Sequence, residues 1–168
     1  MILCLGDSNT KGLDPRSYIA DEYDYPWPAI LSNLLNEEVV NAGENGIEIY
    51  HTKEDFIYLN STIKDPDYII CMIGTNDILN QVSLSMIEER LNCFVQYLIK
   101  WNLILICPKD IIGFPSLKSI YQKISDLYTV PLLDCNEWNI EMAYDDIHFS
   151  ELGHEQFANA LYKQLKCL

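Results

Sequence analysis

The stretch MILCLGDSNT (residues 1–10) sets an unbroken apolar run against a polar turn. Ile2 to Leu5 lack the in/out alternation of a strand with one wet face, so the run reads as a strand covered on both sides. Gly6, Asp7 and Ser8 then stand at its carboxyl end, either as a turn that stops the strand or as a serine held out for chemistry.

Apolar runs of strand length recur at EVVN (38–41), YIICMIG (68–74), LILIC (103–107) and PLLD (131–134). Helical periods separate them. Trp27, Ile30, Leu31, Leu34 and Leu35 follow i, i+3, i+4 spacing, and Met86, Ile87, Leu91, Phe94, Val95 and Leu98 mark a longer helix. Ser85 and Glu88 stand at capping-box spacing at its start. Leu117, Ile120, Tyr121, Ile124 and Tyr128 trace another stripe, and His154, Phe157, Ala158, Leu161 and Leu165 the last. Phe56, Leu59 and Ile63 mark a weaker helix that ends before KDPD (64–67).

Strand and helix alternate along the whole chain, which implies right-handed crossovers and a parallel sheet with helices on both faces, a three-layer α/β/α sandwich. With 168 residues, 49% of them hydrophobic, the chain can bury one core but not two comfortable ones, so a single domain over 1–168 is expected. KGLDPRSYIADEYDYP (11–26) is the longest irregular stretch, an insertion after the first strand, and long loops in compact domains are often functional.

Eleven basic against 25 acidic side chains leave a formal charge of -14, which repels nucleic acid phosphates and anionic membrane surfaces. Cys4, Cys71, Cys107 and Cys135 lie in or beside the strand runs, Cys93 in a helical pattern and Cys167 at the tail, with no C-x-x-C pair. They read as free thiols in a reducing cytoplasm, and no metal site is expected. No segment approaches the ~20 apolar residues that cross a bilayer. No basic stretch precedes the first strand, so no signal peptide is expected.

In an open parallel sheet the ligand site lies outside the carboxyl ends of the strands. GDSNTKG follows the first strand, NAGENG (41–46) the second, GTND (74–77) the third and DDIHFS (145–150) the fifth. Taken singly, GTND and NAGENG also fit ordinary turns. DDIHFS is more specific: Asp145 stands three residues before His148, a separation that lets a tight turn bring carboxylate to imidazole. His154 lies on the apolar stripe of the last helix and reads as a packing or supporting residue; His51 has no carboxylate at such spacing. There is no G-x-S-x-G elbow, no phosphate loop and no G-x-G-x-x-G fingerprint.

In this joint pattern the chain resembles the SGNH hydrolases, also called the GDSL esterase and lipase family. The first block matches as Gly6, Asp7 and Ser8, with Asn9 where leucine is frequent; the second as Asn41 through Gly46; the third as Gly74 through Asp77; the last as Asp145 with His148. Two positions depart from the pattern. Asp146 stands where a glycine is common, and Asn45 where serine often stands.

The resemblance implies a flavodoxin-like five-stranded sheet of order 2-1-3-4-5 and a serine esterase that cleaves carboxylic esters or thioesters through an acyl-enzyme. Ser8 would be the nucleophile, His148 the base and Asp145 its partner. The Ser8 and Gly46 backbone amides and the Asn76 side chain would hold the oxyanion, with Gly46 allowing close backbone approach. Asp7 and Asp77 would be structural. No cofactor is implied. Substrates of such proteins include short acyl esters, aryl esters, lysolipids and acetylated sugars, and Ile111, Ile112 and Phe114 are candidates for the cleft wall. Two alternatives keep the same fold: an acyltransferase using the same triad, and a catalytically silent binding domain.

Overall fold

The strands of the computed structural model, which describes residues 1–167, are β1 (Ile2–Gly6), β2 (Val39–Gly43), β3 (Tyr68–Met72), β4 (Leu103–Cys107) and β5 (Leu132–Asp134). They form one parallel sheet in the order β2-β1-β3-β4-β5, as expected. Leu168, the last residue of the expected domain, lies outside the described residues.

Every position of β1 is buried because both faces of the sheet are covered. Leu3 and Leu5 point into a layer with α3 (Lys53–Thr62), α5 (Leu84–Leu98) and α6 (Lys118–Tyr128), through Leu59, Leu91, Phe94, Tyr121 and Ile124. Ile2 and Cys4 point the other way, onto α2 (Trp27–Leu35) and α7 (Glu151–Leu165), through Trp27, Leu31, Phe157 and Leu161. A fully buried side chain of this size contributes about 1.5–3 kcal/mol. On the second face the Trp27 and Phe157 rings, 4.9 Å apart, join α2 to α7. Among the described residues no helix is long and apolar enough to cross a membrane.

Two helix starts differ from their sequence signals. α5 begins at Leu84, and Ser83, held extended, caps it by accepting the Met86 N–H. Ser85 is therefore already inside the first turn and forms no capping box with Glu88. Met86 falls off the buried stripe and is exposed. The weaker α3 has the real capping box: the Thr52 hydroxyl accepts the Asp55 N–H and the Asp55 carboxylate accepts the Thr52 N–H. That reciprocal cap starts a helix whose only buried residue is Leu59.

Register places the functional loops. Gly6, the last residue of β1, is paired with Gly43 of β2 on one side and Met72 of β3 on the other. Three strands thus end flush, and the segments that follow them leave from one rim. The chain turns at once after β1 into α1 (Ser8–Lys11), folded so close to the sheet that a Cβ on Gly6 would lie 2.2 Å from the Thr10 hydroxyl and 2.3 Å from the Met72 carbonyl oxygen. Glycine is the residue that fits.

Candidate active site

Ser8 opens α1, and Asp7 caps that turn by accepting the Asn9 N–H at 3.0 Å. The Ser8 N–H, at the first helical position, has no carbonyl of its own helix within reach. Asp7 is wholly buried, and burial pushes its carboxyl up to about 6 against the pull of the Asn9 N–H.

Residues 143–149 arrive at the same rim as a compact reverse turn. The Ala143 N–H donates to the His148 carbonyl and the Asp146 N–H to the Ala143 carbonyl. One oxygen of Asp145 accepts the backbone N–H groups of Ile147 and His148, each at 3.0 Å. Its other oxygen lies 2.6 Å from His148 Nδ1. Burial raises the Asp145 carboxyl, but the His148 ring and the two backbone amides outweigh it and hold the group below the ordinary carboxylate range. An ionised Asp145 fixes the proton on Nδ1 and leaves the Nε2 lone pair for Ser8, whose Oγ is 3.0 Å away.

Asp146 has φ +56, the left-handed region. This is why glycine suits the position and why aspartate, which tolerates that region, can replace it.

After β3 the chain enters α4 (Thr75–Leu79), whose side chains fix the neighbouring loop. Asn76 donates to the Ile47 carbonyl at 2.9 Å, and the second N–H of the same amide is the donor expected for an oxyanion. Asp77, wholly buried, accepts the Ile49 N–H at 2.8 Å and pairs with Arg90 at 2.7 Å. Arg90 also pairs with Glu48 at 2.5 Å. Burial raises the Asp77 carboxyl, and the Ile49 N–H and Arg90 oppose that rise. Residues 47–49 are thereby tied to α4 and α5 just after Gly46. At Gly46 φ is +74 and a Cβ would meet nothing within 4 Å. Glycine is required there by backbone conformation rather than by a crowded neighbour.

Arg90 was not singled out by the sequence. It is one of only two arginines in the chain, set in an otherwise ordinary helical stripe, and that rarity was the available signal. His154 packs edge-on against Tyr23 and Phe149 and accepts the Trp27 N–H at 3.3 Å. His51 turns its Nδ1 to the Ile49 carbonyl at 2.7 Å.

Ile111, Ile112 and Phe114 lie on the loop after β4, at the same rim. The loop root is pinned by Asn136, which accepts the Asp110 N–H and donates to the Pro108 carbonyl. Its tip is open, with Ile112 87% exposed. The insertion after β1 is tied to the His148 turn where the Tyr144 hydroxyl donates to the Pro15 carbonyl at 2.7 Å. Among the described residues no cluster of three or more His, Cys, Asp or Glu side chains is placed to hold a metal ion.

A hydroxyl, an imidazole and a carboxylate in hydrogen-bonded series, at the carboxyl rim of a parallel sheet, are the framework of a serine hydrolase. The model of the GDSL-like lipase/acylhydrolase family matches residues 4–156, and the chain belongs to that family, as a serine hydrolase acting on ester bonds. Comparison with curated proteins finds no match. Among solved structures, the M. smegmatis aryl esterase has a TM-score of 0.85 at 21% identity, covering 99% of this chain and 98% of that one. A carbohydrate acetylesterase from Sinorhizobium meliloti gives 0.83 at 16% identity, with the same coverage. A member of the lipolytic G-D-S-L family from Veillonella parvula gives 0.81 at 20%, again over 99% and 98% of the two chains. These likenesses extend the shared fold over nearly the whole chain.

Proposed function

We propose that the chain hydrolyses small carboxylic esters through an acyl-enzyme on Ser8. The observation that carries this reading is the 3.0 Å contact between Ser8 Oγ and His148 Nε2, with Asp145 at 2.6 Å on the far ring nitrogen. As Ser8 Oγ attacks the ester carbonyl, its proton passes to Nε2 and Asp145 stabilises the imidazolium. The carbonyl electron pair moves onto oxygen, which the Ser8 and Gly46 N–H groups and the Asn76 amide receive. Collapse of that adduct breaks the bond to the alcohol, which leaves with the Nε2 proton. Water then attacks the acyl group, delivering its own proton to Nε2, and the acid departs as Ser8 regains its hydrogen.

Ile111, Ile112 and Phe114 would form an apolar wall for the acyl or aryl group. The aryl esterase and the acetylesterase of the same fold make aryl esters and acetylated sugars the first substrates to try. A net charge of -14 favours neutral or cationic substrates over anionic ones and argues against nucleic acid as a partner. All six cysteines are free, which suits a cytoplasmic setting. The described residues would act as one domain.

The test is p-nitrophenyl acetate hydrolysis, followed with and without an acceptor alcohol, together with labelling by a fluorophosphonate. Wild-type protein should turn over and label, and Ser8→Ala should do neither while keeping its thermal unfolding curve. Turnover by Ser8→Ala at the wild-type rate would remove Ser8 as nucleophile. Product appearing on the acceptor rather than as free acid would make the enzyme a transferase.

A further inference from the structure

We propose that Asn9 is a positioning residue for the base, holding the His148 turn at its working distance from Ser8; this rests on the reading of Ser8 and His148 as nucleophile and base. The Asn9 side chain is buried, only 5% exposed, directly after the nucleophile. Its Nδ2 donates to the Ile147 carbonyl at 3.0 Å, and its Oδ1 accepts the Phe149 N–H at 2.8 Å. One planar amide thus grips the backbone on both sides of His148, across about 140 residues of sequence.

The other polar bonds of the turn do a different job. The Ala143 to His148, Asp146 to Ala143 and Asp145 to Ile147 and His148 bonds all start and end within residues 143–148. They define the shape of the turn and leave its place open. Phe149, wholly buried against His154 and Phe157, seats it on α7, and besides the Ser8–His148 contact itself Asn9 is the side chain that ties it to α1. Its own N–H is fixed on Asp7, so the amide is carried by the same capped turn that carries Ser8. Tyr144 adds one hydrogen bond to the insertion at Pro15, farther from the reacting atoms in sequence. Leucine, frequent at this position in the family, has no polar atom for either Asn9 bond, so this chain relies on a tie that such relatives lack.

The experiment compares Asn9→Leu and Asn9→Asp with wild type in steady-state hydrolysis of p-nitrophenyl acetate, fluorophosphonate labelling rate, thermal unfolding, and the low-field NMR resonance of the His148 Nδ1 proton. Because angstrom-scale misplacement of a reacting group can cost up to about 10²-fold, Asn9→Leu should lower kcat about 10- to 100-fold. KM should stay within about threefold, labelling should slow in parallel, and the His148 resonance should broaden or move. Asn9→Asp keeps the acceptor for Phe149 and should recover part of the loss. A cooperatively folded Asn9→Leu protein with wild-type kcat and an unchanged His148 resonance would overturn the proposal. So would a loss of activity matching only the fraction unfolded. If Ser8→Ala remains active, the nucleophile assignment fails instead, and the His148 resonance in Asn9→Leu still decides whether Asn9 positions the ring.

Discussion

Arg90 Nη1 lies 2.7 Å from Asp77 Oδ1, and the Asp77 carboxylate has no exposure of its own. The pair joins α5 to α4, the short helix that follows β3, while the other Asp77 oxygen holds the Ile49 N–H. Removing the guanidinium leaves a buried carboxylate uncompensated, which in buried pairs costs about 3–5 kcal/mol. The Arg90 side chain is 15% exposed, so Arg90→Met should lose about 3 kcal/mol of unfolding free energy, the lower end of that range. Arg90→Lys, which restores charge without the fork, should recover part of it. Urea denaturation measures both, and a loss below about 1 kcal/mol for Arg90→Met would place the pair among weak surface contacts.

Asn76 has two roles that one substitution can separate. One N–H donates to the Ile47 carbonyl, and in the proposed mechanism the other would be offered to the oxyanion. Asn76→Ala should cut kcat by about 10²–10³, the usual cost of a lost oxyanion donor, with KM little changed. Asn76→Asp should be slower still, because a carboxylate would face the developing negative charge. Steady-state kinetics on p-nitrophenyl acetate decides. An Asn76→Ala effect confined to KM would contradict the donor role.

Much of this rim was legible in the sequence because its polar blocks fall where strands end. The unalternated ILCL run reads as a two-sided strand, and β1 is buried at every position. What escaped depends on contacts between distant segments. Arg90 meets Asp77 and Glu48 across 13 and 42 residues, which no local period encodes. Ser83 and Ser85 both suit a helix start, and the choice turns on which one holds an extended backbone. Gly46 was legible as a glycine, but the reason for it was not, since a close approach and a left-handed φ predict the same residue.

Asp146 tests the backbone argument directly. A β-branched residue at φ +56 is a steric outlier, whereas glycine adopts that region freely. Asp146→Val should therefore cost about 1–2 kcal/mol of stability. Asp146→Gly should stay within about 0.5 kcal/mol, relief of strain being offset by the greater freedom of glycine in the unfolded chain. Thermal and urea unfolding compare the two. Equal stability of the Val and Gly variants would show that the turn can relax out of the left-handed region.

His154 should make stability depend on pH with a sign that its burial dictates. Burial, reinforced by the nearby His148 charge, pushes its pKa down from 6.5 to about 4. Between those values the unfolded chain binds a proton that the folded chain refuses, so stability is full above about 6.5 and is lost as pH falls toward 4. At 1.36 kcal/mol per pKa unit the loss is about 3 kcal/mol. Asp7 acts oppositely: its carboxyl, raised from 3.8 to about 6, takes a proton in the fold first, so its contribution is lost as pH rises through 6. The two slopes oppose each other in wild type, and only a difference measurement separates them. His154→Asn keeps an acceptor near the Trp27 N–H but cannot ionise. Urea unfolding of both proteins at pH 7, 5.5 and 4.5 should show wild type losing about 2.4 kcal/mol relative to the variant by pH 4.5, the rest of the loss lying below pH 4.5. A difference that stays constant across that range would mean His154 takes up its proton in the fold as readily as in the unfolded chain.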